Sequence, residues 1–331
     1  MKENKYIYSA NDPVTNACAK ANDSNDSMQK GITHIKAKND GQVRLAIIQS
    51  INPKEFGEIS YLDGPMRTVL DDIYTLLETN TMIKGVAKTE TGEEKEVIGF
   101  TPEMLIYLEN GFNKNICISP KRKEEIELVI ARLNNAVINI DSKYVKEIDV
   151  KGRKIDFKTC QTKSKLLVTN YAKFKVGNGS WVDGYYLLSE PIIYSIMKRN
   201  HMNQFISIPK ELLVIDKGTM SSTEDAFIYR HLINRVFQIN NKHSKIENCN
   251  IAYFQQDQFG KEVGLFKQLG VEFKEEKTQA DKYYNQNQRK KRHKQISSIC
   301  EDLIKKGLIK SYKPYYFPKT HSIKGIKIEV E

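Results

Sequence analysis

The chain has 331 residues, 40% of them hydrophobic, which suffices for ordinary globular cores and, at roughly 150 residues each, for about two domains. Its 52 lysines and arginines outnumber 41 acidic residues, and the resulting net charge of +11 favours polyanionic partners such as nucleic acid or an anionic membrane surface. No stretch approaches the roughly 18 consecutive apolar residues of a spanning helix, Met1–Ala10 lacks the apolar run of a signal peptide, and the five cysteines (Cys18, Cys117, Cys160, Cys249, Cys300) have neither zinc-site spacing nor the density of a disulfide framework, so the expectation is a cytoplasmic protein with no membrane partner, metal or cofactor.

Residues 1–42 are rich in Asn, Asp, Ser and Lys and show no apolar period, which predicts a disordered arm, with a short strand over Tyr6–Tyr8 as the ordered alternative. Val43–Gln49 reads as a strand. A helix is predicted over Pro65–Thr79, where Met66, Val69, Ile73, Leu76 and Leu77 follow helical spacing and Pro65 suits the first turn. Thr101 caps a second helix, Pro102–Asn110, that Gly111 stops. Ser119 caps a third, Pro120–Ile138, with Ile126, Val129, Ile130, Leu133 and Val137 as its stripe.

The pattern then switches to a period of two, giving strands at Tyr144–Val150, Lys154–Lys158, Lys165–Thr169, Tyr171–Val176 and Trp181–Leu187. A short helix at Glu190–Arg199 and a strand at Phe205–Ile208 follow. Val214–Ser222 has no apolar period and sets the expected domain boundary.

The second half repeats the order. A helix over Glu224–Ile239 carries Phe227, Ile228, Leu232, Val236 and Ile239. One or two short helical pieces follow around Tyr253–Leu269. A long helix over Lys282–Lys306 carries Ile296, Ile299, Cys300, Leu303 and Ile304 on one face, Gly307 stops it, and Leu308–Tyr312 and Ile323–Val330 form two strands. Each half thus gives three helices and then a hairpin, the order of a winged helix, whose third helix lies in the DNA major groove. The fold expectation is α+β: two tandem winged-helix domains, 43–215 and 216–331, behind the arm.

Between Asn285 and Glu331 lie twelve cations and four acids, so this segment holds most of the net charge. In the long helix the packing stripe begins only at Ile296. The head before it is polar and cationic, as a recognition helix requires. Arg289 and Arg292 have the fork that pairs with guanine, Asn287, Gln288 and Gln295 the amides that pair with adenine, and Lys290, Lys291 and Lys294 suit phosphates. Tyr284 can stack or bond to the backbone, and Lys313 and Lys319 lie in the hairpin. In the first half, Lys121, Arg122 and Lys123 occupy the equivalent place. Cations at a helix start oppose the macrodipole, which a phosphate would offset.

Catalytic patterns are sparse: there is no phosphate-binding glycine loop, and the six histidines form no close pair. The pair Tyr283–Tyr284 leaves a strand-nicking enzyme as a remote alternative; the favoured reading is a DNA-binding protein without catalysis. A winged-helix transcriptional regulator would use the same residues.

The run Gly179–Pro191 (GSWVDGYYLLSEP), with Ile206–Leu213 (ISIPKELL) and the helix head and stripe Arg289–Gly307, resembles plasmid replication initiators of the two-winged-helix class from low-GC Gram-positive plasmids and phages. The resemblance implies sequence-specific binding to repeated double-stranded sites at an origin, a homodimer that exchanges with an origin-bound monomer, and recruitment of host replication proteins.

Overall fold

The computed structural model describes residues 5–11, 13–18, 32–36, 42–56, 59–89, 92–113, 116–141, 147–150, 153–156, 164–175, 179–199, 205–215, 222–240, 249–255, 262–318 and 322–330. In chain order these form β1 (Tyr6–Ala10), α1 (Pro13–Cys18), β2 (Ile32–Lys36), β3 (Gln42–Ser50), α2 (Pro53–Phe56), α3 (Gly64–Glu78), β4 (Ile83–Thr89), β5 (Glu94–Phe100), α4 (Pro102–Glu109), α5 (Pro120–Asn135) and β6 (Ala136–Asp141). Then come β7 (Glu147–Val150), β8 (Arg153–Asp156), β9 (Ser164–Lys165), β10 (Thr169–Lys175), β11 (Trp181–Leu187), α6 (Ile192–Arg199) and β12 (Phe205–Pro209), followed by a 3-10 turn at Lys210–Leu212. The remainder is α7 (Thr223–Asn240), β13 (Cys249–Ala252), α8 (Leu265–Gln268), α9 (Gln279–Lys305), β14 (Ser311–Tyr316) and β15 (Ile323–Glu329). The protein is therefore mixed α+β. Among the described residues no helix is long and apolar enough to cross a membrane.

The caps read from the sequence act as caps. Thr101 Oγ1 accepts from Met104 N (3.3 Å), and Ser119 Oγ accepts from Arg122 N (3.3 Å); each precedes a proline in the first helical turn. At α7, Ser222 Oγ accepts from Asp225 N (3.1 Å) while Asp225 Oδ2 accepts from Ser222 N (3.0 Å), two orphan donors satisfied reciprocally.

Strand pairing repeats across the halves. In one sheet β11 lies between β10 and β5, and in the other β15 lies between β14 and β13; all four pairings are antiparallel. In both, the second arm of a hairpin lies between the first arm and a strand from earlier in the chain. β4 closes its sheet into a small barrel around Ala87, Ala172, Phe174 and Tyr186, and β2, β3, β6 and β9 form a separate four-stranded sheet.

The disordered arm is corrected by this structure. β1 pairs with β12 from Tyr6↔Pro209 to Ala10↔Phe205. Ile7, Ala10, Val14 and Cys18 are at most 1% exposed. Polar bonds hold the strand to α3: Tyr8 N donates to Thr75 Oγ1 (3.0 Å), Ser9 Oγ to Asp71 Oδ2 (2.8 Å) and Ala10 N to Asp71 Oδ1 (2.9 Å). Residues 19–31 and 37–41 of the expected arm lie outside the described residues. Further differences concern strands: of the strand expected at Lys165–Thr169 only the two ends are strand, in β9 and β10, and the one expected at Leu308–Tyr312 is β14, Ser311–Tyr316. Ile83–Thr89 and Glu94–Phe100, unassigned from the sequence, form β4 and β5; the third helix ends at Asn135, and Ala136 begins β6; and Cys249–Ala252 is a strand.

One hydrophobic core joins residues from both sides of the expected boundary: Met66, Val69 and Ile73 of α3 share it with Phe227, Ile228 and Leu232 of α7 and with Ile296, Cys300 and Leu303 of α9. Helices α3 and α7 meet closely enough that a Cβ on Gly64 would lie 2.7 Å from Phe227 Cδ1. Beside this contact Arg230, 2% exposed, donates to Asp72 Oδ1 (2.5 Å) and to the Thr68 carbonyl (3.1 Å). Burial raises the Asp72 and Glu109 carboxyls above the usual carboxylate range, against the opposing pull of Arg230 on Asp72 and of Arg122 and Arg230 on Glu109. Of the boundary segment itself, residues 216–221 lie outside the described residues.

Candidate nucleic-acid interface

Helix α9 starts at Gln279, three residues before the Lys282 start expected from the sequence. Thr278 and Asp281 form a capping box: Thr278 Oγ1 accepts from Asp281 N (3.1 Å), and Asp281 Oδ2 accepts from Thr278 N (3.1 Å). Asn285, 2% exposed, fastens the preceding segment to the helix. Its Oδ1 accepts from Lys274 N (2.9 Å), and its Nδ2 donates to the Lys274 carbonyl (2.9 Å) and Glu276 (3.2 Å). At the other end Gly307 takes φ +70°, a left-handed conformation that ends the helix with little cost only for glycine, and β14 follows.

At 100° per residue, Tyr283, Asn287, Lys290, Lys291 and Lys294 fall on one side of α9, opposite Asn285, Arg292, Ile296 and Leu303, and the accessibilities agree: the first five are exposed and the last four buried. Among the described residues, Lys290, Lys291 and Lys294 have no carboxylate within ion-pair distance, nor does Lys282 about two turns earlier. The result is a cationic strip with an amide at Asn287 and an exposed ring at Tyr283.

Two arginines expected in the interface are internal instead. Arg292 forks onto both oxygens of Glu224 on α7 (Nη2 to Oε1, 2.8 Å) and also donates to Gln295 Oε1 (2.9 Å). Gln295 in turn donates to Asp225 Oδ1 (2.6 Å), so its amide is committed to the same helix start. Arg122, 4% exposed, pairs with Glu109 and Glu125 and donates to Thr223 Oγ1 (2.5 Å). Guanidiniums buried and ion-paired in this way are not available to base edges. Arg292 and Arg122 thereby meet adjacent residues of the first turn of α7, Glu224 and Thr223, which ties α9 and α5 to a common element.

The remaining expected residues divide similarly. Arg289 lies over the rings of Phe254 (5.5 Å) and Phe273 (5.4 Å), with Glu276 at 3.8 Å, so its guanidinium is partly engaged. Tyr284 has the Lys274 ammonium 4.7 Å above its ring, and Gln288 is half-buried. Lys123 is paired with Glu103 (2.7 Å), which leaves Lys121 as the exposed cation of the α5 head without a carboxylate partner among the described residues. The α5 head thus lacks the strip that α9 presents. Lys313 is exposed on β14, and Lys319 lies outside the described residues.

The sequence reading missed two features. Lys327 on β15 stands directly opposite Lys313 on β14, a like-charge cross-strand pair that the nearby Glu329 carboxylate partly offsets. Its signal was the exposed alternation Lys327, Glu329 against buried Ile326 and Ile328. The second feature is a cavity of about 450 Å³ along the flank of α9, bordered by Lys282, Gln286, His293, Ser322 and Ile323, where Tyr253 Oη lies 2.7 Å from His293 Nδ1. Burial lowers the His293 pKa, favouring the neutral ring there.

No protein-family model matches the chain, and neither a curated protein nor a solved structure matches it.

Proposed function

We propose that this chain binds double-stranded DNA through the head of α9, with Lys290, Lys291 and Lys294 on phosphates and Asn287 within reach of base edges. The observation that carries the reading is the unpaired cationic strip on the solvent side of a helix whose opposite side is fixed in the core. A cationic helix face in that setting gains more from a polyanion than from solvent, because the counterions released from DNA drive association.

The unit around α9 has the ingredients of a winged helix: α7, β13, α8, α9 and then β14–β15, with β15 central in a three-stranded antiparallel sheet. We read α3, β5, α4, α5, β10 and β11 as a first copy of the plan, expanded by β4 and by the β2-β3-β6-β9 sheet. In this reading α9 is the recognition helix, and the hairpin carrying Lys313 and Lys327 contacts the flanking backbone. The first copy contributes less to DNA binding, since Arg122 and Lys123 are used internally, and a dimer contact is its proposed role.

The resemblance noted in the sequence supports a specific role for this binding: recognition of repeated origin sites and initiation of plasmid replication without catalysis by the chain itself. A gel shift with DNA flanking its own gene, in excess unrelated competitor, tests this. Retention of fragments carrying direct repeats next to an AT-rich stretch is expected; equal displacement from every fragment refutes sequence-specific origin binding.

A further inference from the structure

A polar cavity of about 410 Å³ opens where β1, α3, α7 and β13 meet, remote in sequence from the α9 head and sharing none of its exposed lysines. Its volume is in the range of small-molecule sites. Its lining includes three arginines, Arg67, Arg230 and Arg235, and one carboxylate, Asp71. Arg230 is balanced by Asp72 at 2.5 Å, and Asp71 lies among Arg67, Ser9 and the Ala10 amide. Arg235 has no such balance. Among the described residues its guanidinium meets Gln238 Oε1 (3.2 Å) and no carboxylate.

Other groups in the lining leave hydrogen-bonding capacity unused. Asn234 donates to Ser9 Oγ (3.0 Å), but its buried Oδ1 has no partner among the described residues, and the same holds for Nε of Arg230. His231 borders the cavity too. Burial first, then the charges of Arg67 and Arg235, lower its pKa to about 4, so the imidazole is neutral at physiological pH in a locally positive field. A second cavity shares Arg235, Asn250, Ala252 and Gln255 with the first and adds Glu262, Lys324 and the rings of Phe254, Tyr315 and Phe317. Guanidinium groups match phosphoryl oxygens in fork geometry, and aromatic faces take planar bases.

We propose that this seam binds a nucleoside phosphate, with the phosphoryl group between Arg67 and Arg235 and the base against Phe254, Tyr315 and Phe317. The ligand would bridge the N-terminal strand and α3 on one side to α7 and β13 on the other, so binding stabilises the junction of the two halves. The inference does not rest on DNA binding by α9. The same chemistry is offered by a free nucleotide and by the 5′ end of a single strand, and the assay separates them.

The test is calorimetric titration and thermal unfolding of the full chain with four probes: inorganic phosphate, an unphosphorylated nucleoside, a nucleoside 5′-monophosphate, and a 5′-phosphorylated tetranucleotide. The monophosphate or the tetranucleotide should bind and raise the Tm, inorganic phosphate and the nucleoside at least tenfold more weakly, and the tighter of the first two identifies the source. Arg235→Ala should weaken binding at least tenfold, Arg235→Lys severalfold because the fork is lost, and Lys290→Ala not at all. The His231 pKa, followed by NMR, should rise when the ligand enters. The Lys variant keeps the test valid if the Ala variant fails to fold. The proposal is overturned if no probe binds at millimolar concentration, if neither Arg235 variant weakens binding, if inorganic phosphate binds as tightly as the nucleotide, or if Lys290→Ala abolishes binding, which would place the ligand on α9.

Discussion

Replacing Lys290, Lys291 and Lys294 together by Gln removes the unpaired charge of the α9 strip while leaving its buried side intact. Each phosphate neutralised on duplex DNA contributes about 0.9 to the slope of log K against log salt concentration, so three contacts contribute about 2.7. Over the fourfold change from 50 to 200 mM salt, the wild type should lose about 40-fold more affinity than the variant. Fluorescence anisotropy with a labelled duplex of about 25 base pairs, titrated at four salt concentrations, measures both slopes. Arg292→Met is the contrasting control. Its guanidinium is bound to Glu224, so it should lower stability without changing the slope, provided the measurement is made where the variant is folded. An unchanged slope in the triple variant, or a slope lowered equally by Arg292→Met, would refute the division of α9 into a DNA side and a packing side.

Other parts of the structure give further expectations. Arg230→Met leaves Asp72 without its ion partner and should cost about 3–5 kcal/mol by urea denaturation, with Asp72→Asn recovering part of the loss in the double variant; a cost below about 1 kcal/mol would contradict the buried pairing. Asn285→Ala breaks three bonds that hold residues 274–276 to α9 and should cost about 1–3 kcal/mol while leaving the salt slope unchanged. His231 has a folded pKa of about 4, below its ordinary value near 6.5, so acidification charges it first in the unfolded chain. Its contribution to stability should therefore be lost as pH falls from about 6.5 toward 4. The raised carboxyls of Asp71, Asp72 and Glu109 act in the opposite direction, so the histidine effect is read as the difference in Tm between wild type and His231→Phe across that window. A difference that does not change with pH would contradict a half-buried, neutral imidazole.

Several of these features were legible in the sequence. The starts of α4 and α5 follow from Thr101-Pro102 and Ser119-Pro120, because a hydroxyl followed by proline satisfies an orphan donor and presets φ. The long helix and its stop follow from the Ile296–Leu303 stripe and Gly307. The spacing also held the answer for the two misplaced arginines. Arg292 lies four residues before Ile296 and seven before Ile299, and Arg122 lies four before Ile126 and seven before Val129, so each continues a buried stripe by helical geometry. Cationic composition alone made them look available; the carboxylates that neutralise them, Glu224 and Glu109, come from other helices, which no local pattern reveals. The N-terminal strand was obscured for a different reason. Ile7, Ala10, Val14 and Cys18 are few and do not show the strand period of two, and the burial of β1 depends on α3 and β12 lying alongside. Strands β4 and β5 were hidden by exposed Lys and Glu residues, since the barrel they help close has a core of only a few side chains.

DNA binding as proposed requires that the exposed side of the α9 head meet the duplex. The most direct measurement is tethered cleavage. A cysteine replaces Asn287 in a chain whose exposed Cys117, and Cys160, are changed to Ser; Cys18, Cys249 and Cys300 are buried. Iron–EDTA coupled at position 287 then cuts bound DNA bearing the recognised site. Strand breaks confined to a few base pairs, with the offset between strands that marks the major groove, are predicted. Uniform cleavage along the fragment, or localised cleavage from a probe at Lys121 and none from position 287, would contradict the assignment of α9.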